Sequence, residues 1–231
     1  MERQLAELGL EAEFIPAVDG RHFSDEQRTL YDEARAKKRN GAPLAPGELG
    51  AALSHRSIYE RMVREGIERA LVLEDDVRLD PRIAGLLRDE PLLASARWSW
   101  LQLDYPEVGR PFLRAWLRSS AIEMRRRPLF ALYALLKFPY IALLSLYEGA
   151  RDSRVRRSAP RIVRFARPLY FASCYIVTGE GAKRLLELAT PVVFPADRLP
   201  NQARRTPGFR MRAIAPAMAR QERVLFGSDI G

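Results

Sequence analysis

The stretch from which the fold is inferred is ALVLEDDV, residues 70–77. Four apolar residues end abruptly in three acidic ones, Glu74, Asp75 and Asp76. Short continuous apolar runs are typical of buried strands in parallel sheets, and open α/β sheets bind ligands at the carboxyl ends of their strands. The stretch therefore predicts a buried parallel strand that delivers carboxylates to a ligand-binding edge.

Helical and strand-like stretches alternate along the rest of the chain, which indicates an α/β protein. Helices are predicted over residues 2–8, 24–39, 48–65 and 182–188. Strands are predicted over residues 11–18, 70–73, 98–103 and 170–177. The helix over 48–65 follows a loop rich in proline and glycine, places its apolar residues roughly on one face and ends at Gly66.

The acidic residues that follow the strand are candidate ligands of a metal ion. Glu74 and Asp76 are two residues apart, so their side chains point the same way in an extended chain. Two carboxylates in this arrangement can bind a hard divalent cation, which would neutralise charge developing on a phosphate leaving group. The alternative is structural: Asp76 caps the next element, and Glu74 is only solvated.

Three further residues have both a functional and a structural interpretation. His55 lies on the helix over 48–65 and is either a functional residue or a packing residue. Asp197 lies between Pro195 and Pro200, which either hold its carboxylate in a rigid loop or flank an ordinary turn. Cys174 has apolar neighbours in a predicted strand and is expected in the core.

The composition of the 231 residues limits the kinds of site that the chain can carry. A single cysteine excludes an internal disulfide framework and a cysteine-cluster metal site. Two histidines, His22 and His55, exclude a multi-histidine zinc centre. Any metal is therefore expected to be held mainly by oxygen atoms. The chain opens on a polar segment without a charged-then-apolar signal pattern.

The basic excess of the chain is concentrated in residues 110–168. The whole chain has 38 basic and 29 acidic residues, a net charge of +9, and this segment alone holds 14 basic and 3 acidic ones. The remainder is close to neutral. The pattern predicts one α/β domain, formed by residues 1–109 and 169–231, that carries residues 110–168 as a basic helical insert.

The insert has an apolar centre, residues 129–147, with a single charged residue, Lys137. Arginine-rich clusters flank this centre on both sides. Its length reaches the lower range for a membrane-spanning helix. Because Lys137 and Pro139 lie in its middle, a broken, surface-lying or re-entrant hairpin on an anionic membrane is favoured. The alternative is a buried helical pair that covers the sheet.

Taken in order, several stretches resemble glycosyltransferase family 25, the group of lipopolysaccharide and collagen galactosyltransferases. The matching stretches are EFIPAVDG (13–20), LAPGELGAALSH (44–55), ALVLEDDV (70–77), WSWLQL (98–103), SCYIVTGEGAKRLLE (173–187), FPAD (194–197) and PAMARQERVLFGSDI (216–230). The resemblance covers most of the chain outside the insert. It implies a GT-A-like nucleotide-sugar transferase fold, inversion at the sugar carbon and a UDP-hexose donor, commonly UDP-galactose.

The resemblance also implies roles for individual residues. Glu74, Asp75 and Asp76 match the acidic motif that binds metal and the nucleotide diphosphate, with Glu74 and Asp76 as ligands of Mn²⁺ or Mg²⁺. The other implied donor-binding residues are Asp19, Gly20, Ser54, His55, Gln221 and Ser228. Inversion by single displacement needs a carboxylate base. Asp197 is the first candidate and Glu48 the second, while Asp76 ranks last because a metal ligand is already engaged.

The chain departs from the family pattern at its start. The family begins with an apolar strand, whereas this sequence starts at the helix over 2–8. That strand would be central to the sheet and would contact the nucleotide base. We therefore expect either a start codon placed too late or a degenerate copy whose sheet lacks its first strand. Ala51 replaces a cysteine that is usual in the family, a change that is conservative in size.

The function expected from these features is transfer of a hexose, galactose first, from a UDP-sugar to lipopolysaccharide or another lipid-linked glycan. The enzyme would be bacterial and cytoplasmic, peripheral on the inner membrane, with residues 110–168 on the anionic surface. A truncated, non-catalytic protein that binds membrane or glycan is the rival. Nucleic acid is not an expected partner despite a pI near 10.1, because the insert has an apolar centre and the sequence has no nucleic-acid-reading motif.

Overall fold

The computed structural model describes residues 1–105, 136–140, 142–143, 159–165 and 169–221. The chain forms two compact units, one of residues 1–105, 162–214 and 218–231 and the other of residues 106–161 and 215–217. In the second unit, residues 136–140 and 142–143 are helical. The predicted domain boundaries and the predicted placement of residues 129–147 fall mostly outside the described residues and stay predictions.

Helices and strands are numbered here in chain order. In the first unit, the described helices are α1 (Glu2–Glu7), α2 (Asp25–Thr29), α3 (Glu33–Asn40), α4 (Pro46–Glu65), α5 (Ile83–Arg88), α6 (Glu90–Ala94), α7 (Gly179–Leu188) and α8 (Leu199–Ala203). The strands are β1 (Arg69–Leu73), β2 (Val77–Leu79), β3 (Trp100–Gln102), β4 (Arg161–Val163), β5 (Cys174–Thr178), β6 (Met211–Ala215) and β7 (Ala219–Gln221). This mixture confirms the predicted α/β class.

A five-stranded mixed sheet, in the order β1-β5-β3-β6-β4, organises the first unit. Strand β5 runs antiparallel to both β1 and β3, and β3 runs parallel to β6. Strands β1, β3 and β6 therefore point in the same direction, and their carboxyl ends lie at one edge of the sheet. A second sheet pairs β2 with β7 in antiparallel register.

Apolar side chains cover both faces of the five-stranded sheet. Trp100 and Tyr175 belong to one buried cluster, while Leu101 and Ile176, the next residues along the same two strands, belong to another. This alternation follows from the two-residue period of extended chain. Cys174 is buried in the second cluster, which confirms its predicted core position.

The prediction that residues 70–73 form a buried parallel strand is wrong about the direction of pairing, and their burial is only partial. Strand β1 pairs antiparallel with β5 and stands at the end of the described strand order. Of its five residues, Val72 alone is fully buried. The run is continuously apolar because Val72 packs into one core cluster while Leu71 and Leu73 pack against the other. The pattern therefore reports two covered faces, not the direction of pairing.

The segment 11–18, predicted as a strand, forms neither helix nor strand. Phe14 and Ile15 are exposed, and Pro16 has no N–H with which to join a ladder. The N–H of Val18 donates to Ser54 Oγ at 2.8 Å, so the segment is held by a helix side chain.

The helix predicted over 24–39 is interrupted and forms α2 and α3. The backbone of Tyr31 bridges to Val192, and the N–H of Asp32 donates to the Val192 carbonyl at 3.1 Å. The Asp32 carboxylate then caps α3 by accepting from the N–H of Arg35 at 2.8 Å. Pairing with a distant segment thus overrides the local helical pattern.

Helix α4 confirms the longest predicted helix and begins two residues earlier than expected. Pro46 occupies its first turn, where a missing N–H has no cost. Gly66 ends it in a left-handed conformation with φ of +67°. None of the helices in the described parts of the chain combines the length and apolar character required to cross a membrane.

Candidate functional site

Two carboxylates and one amide meet beyond the carboxyl end of β1. Gln221 Nε2 donates to Asp76 Oδ2 at 2.8 Å and to Glu74 Oε2 at 3.4 Å. The pairing of β2 with β7 places Gln221 opposite Val77, the residue after Asp76. The side chains of Glu74 and Asp76 therefore converge, in agreement with their two-residue spacing, whereas Asp75 is exposed.

A chain of hydrogen bonds leads from the buried core to Glu74. His55 Nε2 lies 3.3 Å from Glu74 Oε1, and His55 Nδ1 lies 2.7 Å from the Tyr175 hydroxyl. The Tyr175 hydroxyl lies 3.1 Å from the Tyr59 hydroxyl. Because a carboxylate only accepts, the ring proton is assigned to Nε2, which donates to Glu74 while Nδ1 accepts from Tyr175. Tyr59 then donates to Tyr175.

Burial keeps Tyr59 and Tyr175, the two tyrosines in this series of hydrogen bonds, protonated. It raises the pKa of Tyr59 and of Tyr175 above the ordinary value of a phenol. Tyr175 is also stacked on Trp100, with ring centroids 3.6 Å apart, which holds its ring in one orientation. His55 is thus fixed from the core side, and both of its ring nitrogens are engaged within the protein. His55 therefore contacts Glu74 directly, and the donor-binding role that the resemblance implies for His55 stays a prediction.

A buried carboxyl group, Asp104, lies close to these hydrogen bonds and was not among the residues predicted from the sequence. Ser173 Oγ and Gln102 Nε2 both donate to it. The Ser173 carbonyl accepts from the N–H of Glu74 at 2.9 Å, so one residue links Asp104 to the acidic motif. Burial raises the pKa of Asp104, against the opposing effect of these donors. Its position just after β3 carries the same signal, an acid at a strand end, that marked Glu74.

The turn at Asp19 and Gly20 packs on the first half of α4. Ser54 Oγ accepts from the Val18 N–H and donates to the Gly50 carbonyl, both at 2.8 Å. Side-chain and backbone hydrogen bonds from Arg21 lower the pKa of Asp19 to about 2. Asp19 is therefore ionised at neutral pH and exposed on this turn, while Ser54 is occupied in holding the turn to the helix.

Substitution by alanine is expected to have opposite effects on stability at two glycines that lie in helices, Gly50 and Gly85. A Cβ atom at Gly50 would lie 2.7 Å from the Val18 carbonyl oxygen, whereas one at Gly85 in α5 would meet nothing within 4 Å. We expect Gly50→Ala to destabilise the fold by about 1–3 kcal/mol, because backbone must move. Gly85→Ala should stabilise it by about 0.5–1 kcal/mol through helix propensity. Urea unfolding of both variants measures the difference, and equal shifts would contradict this tight packing of the turn.

The two candidate bases, Asp197 and Glu48, interact electrostatically. Burial, followed by the charge of Glu48, raises the pKa of Asp197, against a lowering by Arg198. Glu48 also has a structural role, since its Oε2 accepts from the N–H of Ala45 at 2.9 Å at the start of α4. Glu48 and His55 are seven residues apart on α4, which separates them by about 10 Å along one helix face.

The donor set at Glu74 and Asp76 fits a hard divalent cation. One oxygen from each carboxylate already converges on the Gln221 amide nitrogen, and such cations take carboxylate and amide oxygens as ligands. Rotation of the terminal amide would present the Gln221 oxygen at the same place. Within the described residues, no group of three or more His, Cys, Asp or Glu side chains is arranged to hold a metal ion. Ser228 lies outside the described residues.

Comparison with known proteins agrees with the resemblance. The family model described as glycosyltransferase family 25 (LPS biosynthesis protein) matches residues 1–200. A "Glycosyltransferase 25 family member" of Aedes aegypti is 43% identical over 91 residues, covering 36% of this chain and 15% of that protein. A protein of the same name from Drosophila melanogaster is 42% identical over 86 residues, covering 35% of this chain and 14% of that protein.

A third relative carries a different name. The Homo sapiens protein "Inactive glycosyltransferase 25 family member 3" is 33% identical over 120 residues, covering 47% of this chain and 19% of that protein. The matched part of the chain thus spans no more than a fifth of these curated relatives. The family model, in contrast, matches most of the chain. The chain therefore belongs to glycosyltransferase family 25.

Proposed function

We propose that this chain transfers a hexose, with galactose as the expected sugar, from a UDP-sugar to a glycan acceptor. The observation that carries the proposal is the convergence of Glu74 and Asp76 at the carboxyl end of β1. The description of the matching family as LPS biosynthesis proteins supports lipopolysaccharide or another lipid-linked glycan as the acceptor. Placement at the cytoplasmic face of a bacterial inner membrane, through residues 110–168, is part of the same proposal.

In the proposed reaction, the acceptor hydroxyl attacks the anomeric carbon of the sugar. The new carbon–oxygen bond forms as the bond to the UDP oxygen breaks, so a single displacement inverts the anomeric centre. A carboxylate takes the hydroxyl proton, and UDP leaves with the bonding electrons. Asp197 is the proposed base, since partial burial already raises its pKa and so makes it a stronger base than an exposed aspartate.

The acidic motif would hold the donor diphosphate. Glu74 and Asp76 would be the protein ligands of Mn²⁺ or Mg²⁺, and Gln221 would contribute its amide oxygen. Such a cation, when bound, neutralises negative charge on the diphosphate leaving group. His55, held by Tyr175, keeps Glu74 oriented toward Gln221 and so prearranges the carboxylates before donor binding.

Release of UDP is the direct test of this proposal. The purified chain is incubated with each of several UDP-hexoses and a soluble acceptor glycan, with Mn²⁺, with Mg²⁺ or with chelator. We expect metal-dependent release with one donor, UDP-galactose first, and an inverted anomeric configuration in the product by NMR. Metal-independent release, or retention of configuration, would contradict the proposed mechanism.

A non-catalytic role is the second candidate function. It is favoured by the 33% identity to a human relative whose name describes it as inactive. In that case the folded chain would bind a glycan or an anionic membrane without releasing UDP from any donor. Binding of UDP, measured by calorimetry in the absence of acceptor, separates the two candidates. A transferase must bind the nucleotide of its donor even when turnover is slow, whereas a protein that binds only glycan or membrane need not.

A further inference from the structure

Four arginines surround an open cleft on the first unit. The cleft has a volume of about 440 Å³ and is lined by Arg164, Phe165, Arg204, Phe209, Arg210, Met211 and Arg212. Arg204 lies over the Phe165 ring, 5.2 Å from its centroid, and donates to the Phe165 carbonyl at 3.1 Å. The aromatic ring and this hydrogen bond hold the guanidinium against one side of the cleft.

The arginines of this cleft carry like charges that repel one another. Within the described part of the chain, Arg164, Arg210 and Arg212 form no ion pair with an acidic side chain. Partial burial, followed by the positive charges of Arg164, Arg210 and Arg204, lowers the pKa of Arg212. Guanidinium groups brought together in this way repel each other, and a bound anion relieves that repulsion.

The cleft lies at the sheet edge opposite to the acidic motif. Arg210 directly precedes β6, and its N–H donates to Ser99 Oγ at 3.2 Å just before β3. Since β1, β3 and β6 run in the same direction, their amino ends lie away from the edge that carries Glu74. A ligand in the cleft is therefore separate from a donor bound at Glu74 and Asp76.

We propose that this cleft, formed by Arg164, Arg204, Arg210 and Arg212, is a binding site for a phosphate-bearing ligand. Guanidinium groups bind phosphate oxygens through paired, charge-assisted hydrogen bonds. The open shape admits either a soluble phosphorylated molecule or the headgroup of a phospholipid, and phosphate is the chemistry that both share. In the sequence, Arg164 belongs to the basic segment 110–168. The site does not depend on the transferase activity.

Titration with inorganic pyrophosphate and sedimentation with vesicles test the two sources. Both use the full chain in low-salt Tris buffer with chelator, so that cation-dependent binding at Glu74 and Asp76 does not contribute. The vesicles contain phosphatidylcholine with or without phosphatidic acid. The cleft variant is Arg210→Gln/Arg212→Gln. The control is Arg184→Gln/Arg205→Gln, which removes the same charge from exposed positions outside the cleft.

We expect the cleft variant to bind the phosphate probe at least about tenfold more weakly than wild type, and the control to stay within about twofold. Loss confined to pyrophosphate supports a soluble ligand, and loss confined to phosphatidic acid vesicles supports a headgroup. Equal weakening of phosphate binding in both variants would mean that general charge attraction explains the binding, and it would overturn the proposed site. Binding of neither probe would also overturn it.

Thermal unfolding gives a readout that does not require a tight ligand. The single variant Arg212→Met removes one of the repelling charges and keeps an apolar stem of similar length. We expect it to raise Tm in phosphate-free buffer and to reduce the increase in Tm that pyrophosphate causes in wild type. A lower Tm with an undiminished response to pyrophosphate would contradict the proposed cluster.

Discussion

Asp76→Asn is expected to abolish metal-dependent release of UDP, lowering kcat/KM by about a thousandfold or more. The substitution keeps the size of the side chain and one oxygen that can accept from Gln221, so the local fold should persist. What it removes is one of two negative charges that converge on the same point. A neutral amide is a much weaker ligand for a hard cation than a carboxylate.

The measurement has two parts, turnover and metal binding. UDP release is followed with Mn²⁺ and with chelator, and binding of Mn²⁺ to the chain is followed by electron paramagnetic resonance. Asp25→Asn is the matched control, because it makes the same chemical change at an exposed position in the first turn of α2. Undiminished Mn²⁺ binding and turnover in Asp76→Asn would place the metal elsewhere and remove the basis of the proposed donor site.

The local elements of the site could be predicted from short-range sequence patterns. The acidic residues were expected at a strand end because an apolar run stops there, and the structure places them just after β1. Helix α4, which carries Ser54 and His55, was recognised from its proline-glycine start and its terminal Gly66. These features depend on a few neighbouring residues, so they leave a signature within the sequence itself.

The partners of these residues depend on contacts that no local pattern records. Gln221 meets Asp76 from 145 positions away along the chain, and Tyr175 meets His55 from 120 positions away. In the sequence, Tyr175 has the pattern of an ordinary core residue of a strand, and nothing near it signals a hydrogen bond to a histidine. The resemblance pointed to Gln221 and His55, but the contacts that the two ring nitrogens of His55 make with Tyr175 and Glu74 are visible only in the folded chain.

The same reason explains why the direction of β1 and the arginine cleft could not be foreseen. A continuous apolar run is compatible with parallel or antiparallel neighbours whenever both faces of the strand are covered. The cleft takes arginines from three places in the chain: just after β4, just after α8 and around the start of β6. Only the folded sheet brings these charges together, since in the sequence they are spread over 164–212 among many other arginines.

Asp197→Asn is expected to change activity and stability in opposite directions. As the proposed base, the carboxylate accounts for a factor of about 10² to 10⁴ in rate, which the amide cannot supply. The same carboxylate is partly buried, and burial raises its pKa. When this partly buried carboxylate is ionised, desolvation of its charge lowers the free energy of unfolding. Asparagine has no charge to desolvate.

The pH dependence of stability follows from the sign of this pKa shift. A carboxyl whose folded pKa is raised binds more protons in the folded state than in the unfolded state. Its favourable contribution is complete below the unfolded value of about 3.9 and is lost as pH rises through the folded pKa. The free energy of unfolding of Asp197→Asn relative to wild type should therefore increase between pH 4 and pH 7, as measured by urea unfolding at both values.

Activity should show the complementary behaviour, because the base must be ionised to accept the proton. In wild type, kcat/KM should fall as pH falls through the pKa of Asp197, at a value above that of an ordinary aspartate. Asp197→Asn should lose this acidic limb together with most of the rate. Glu187→Gln, on the exposed end of α7, is the control for removal of a negative charge. If Asp197→Asn gained stability but kept its rate, Asp197 would be a buried loop residue, and Glu48→Gln would then be the variant expected to lose the acidic limb.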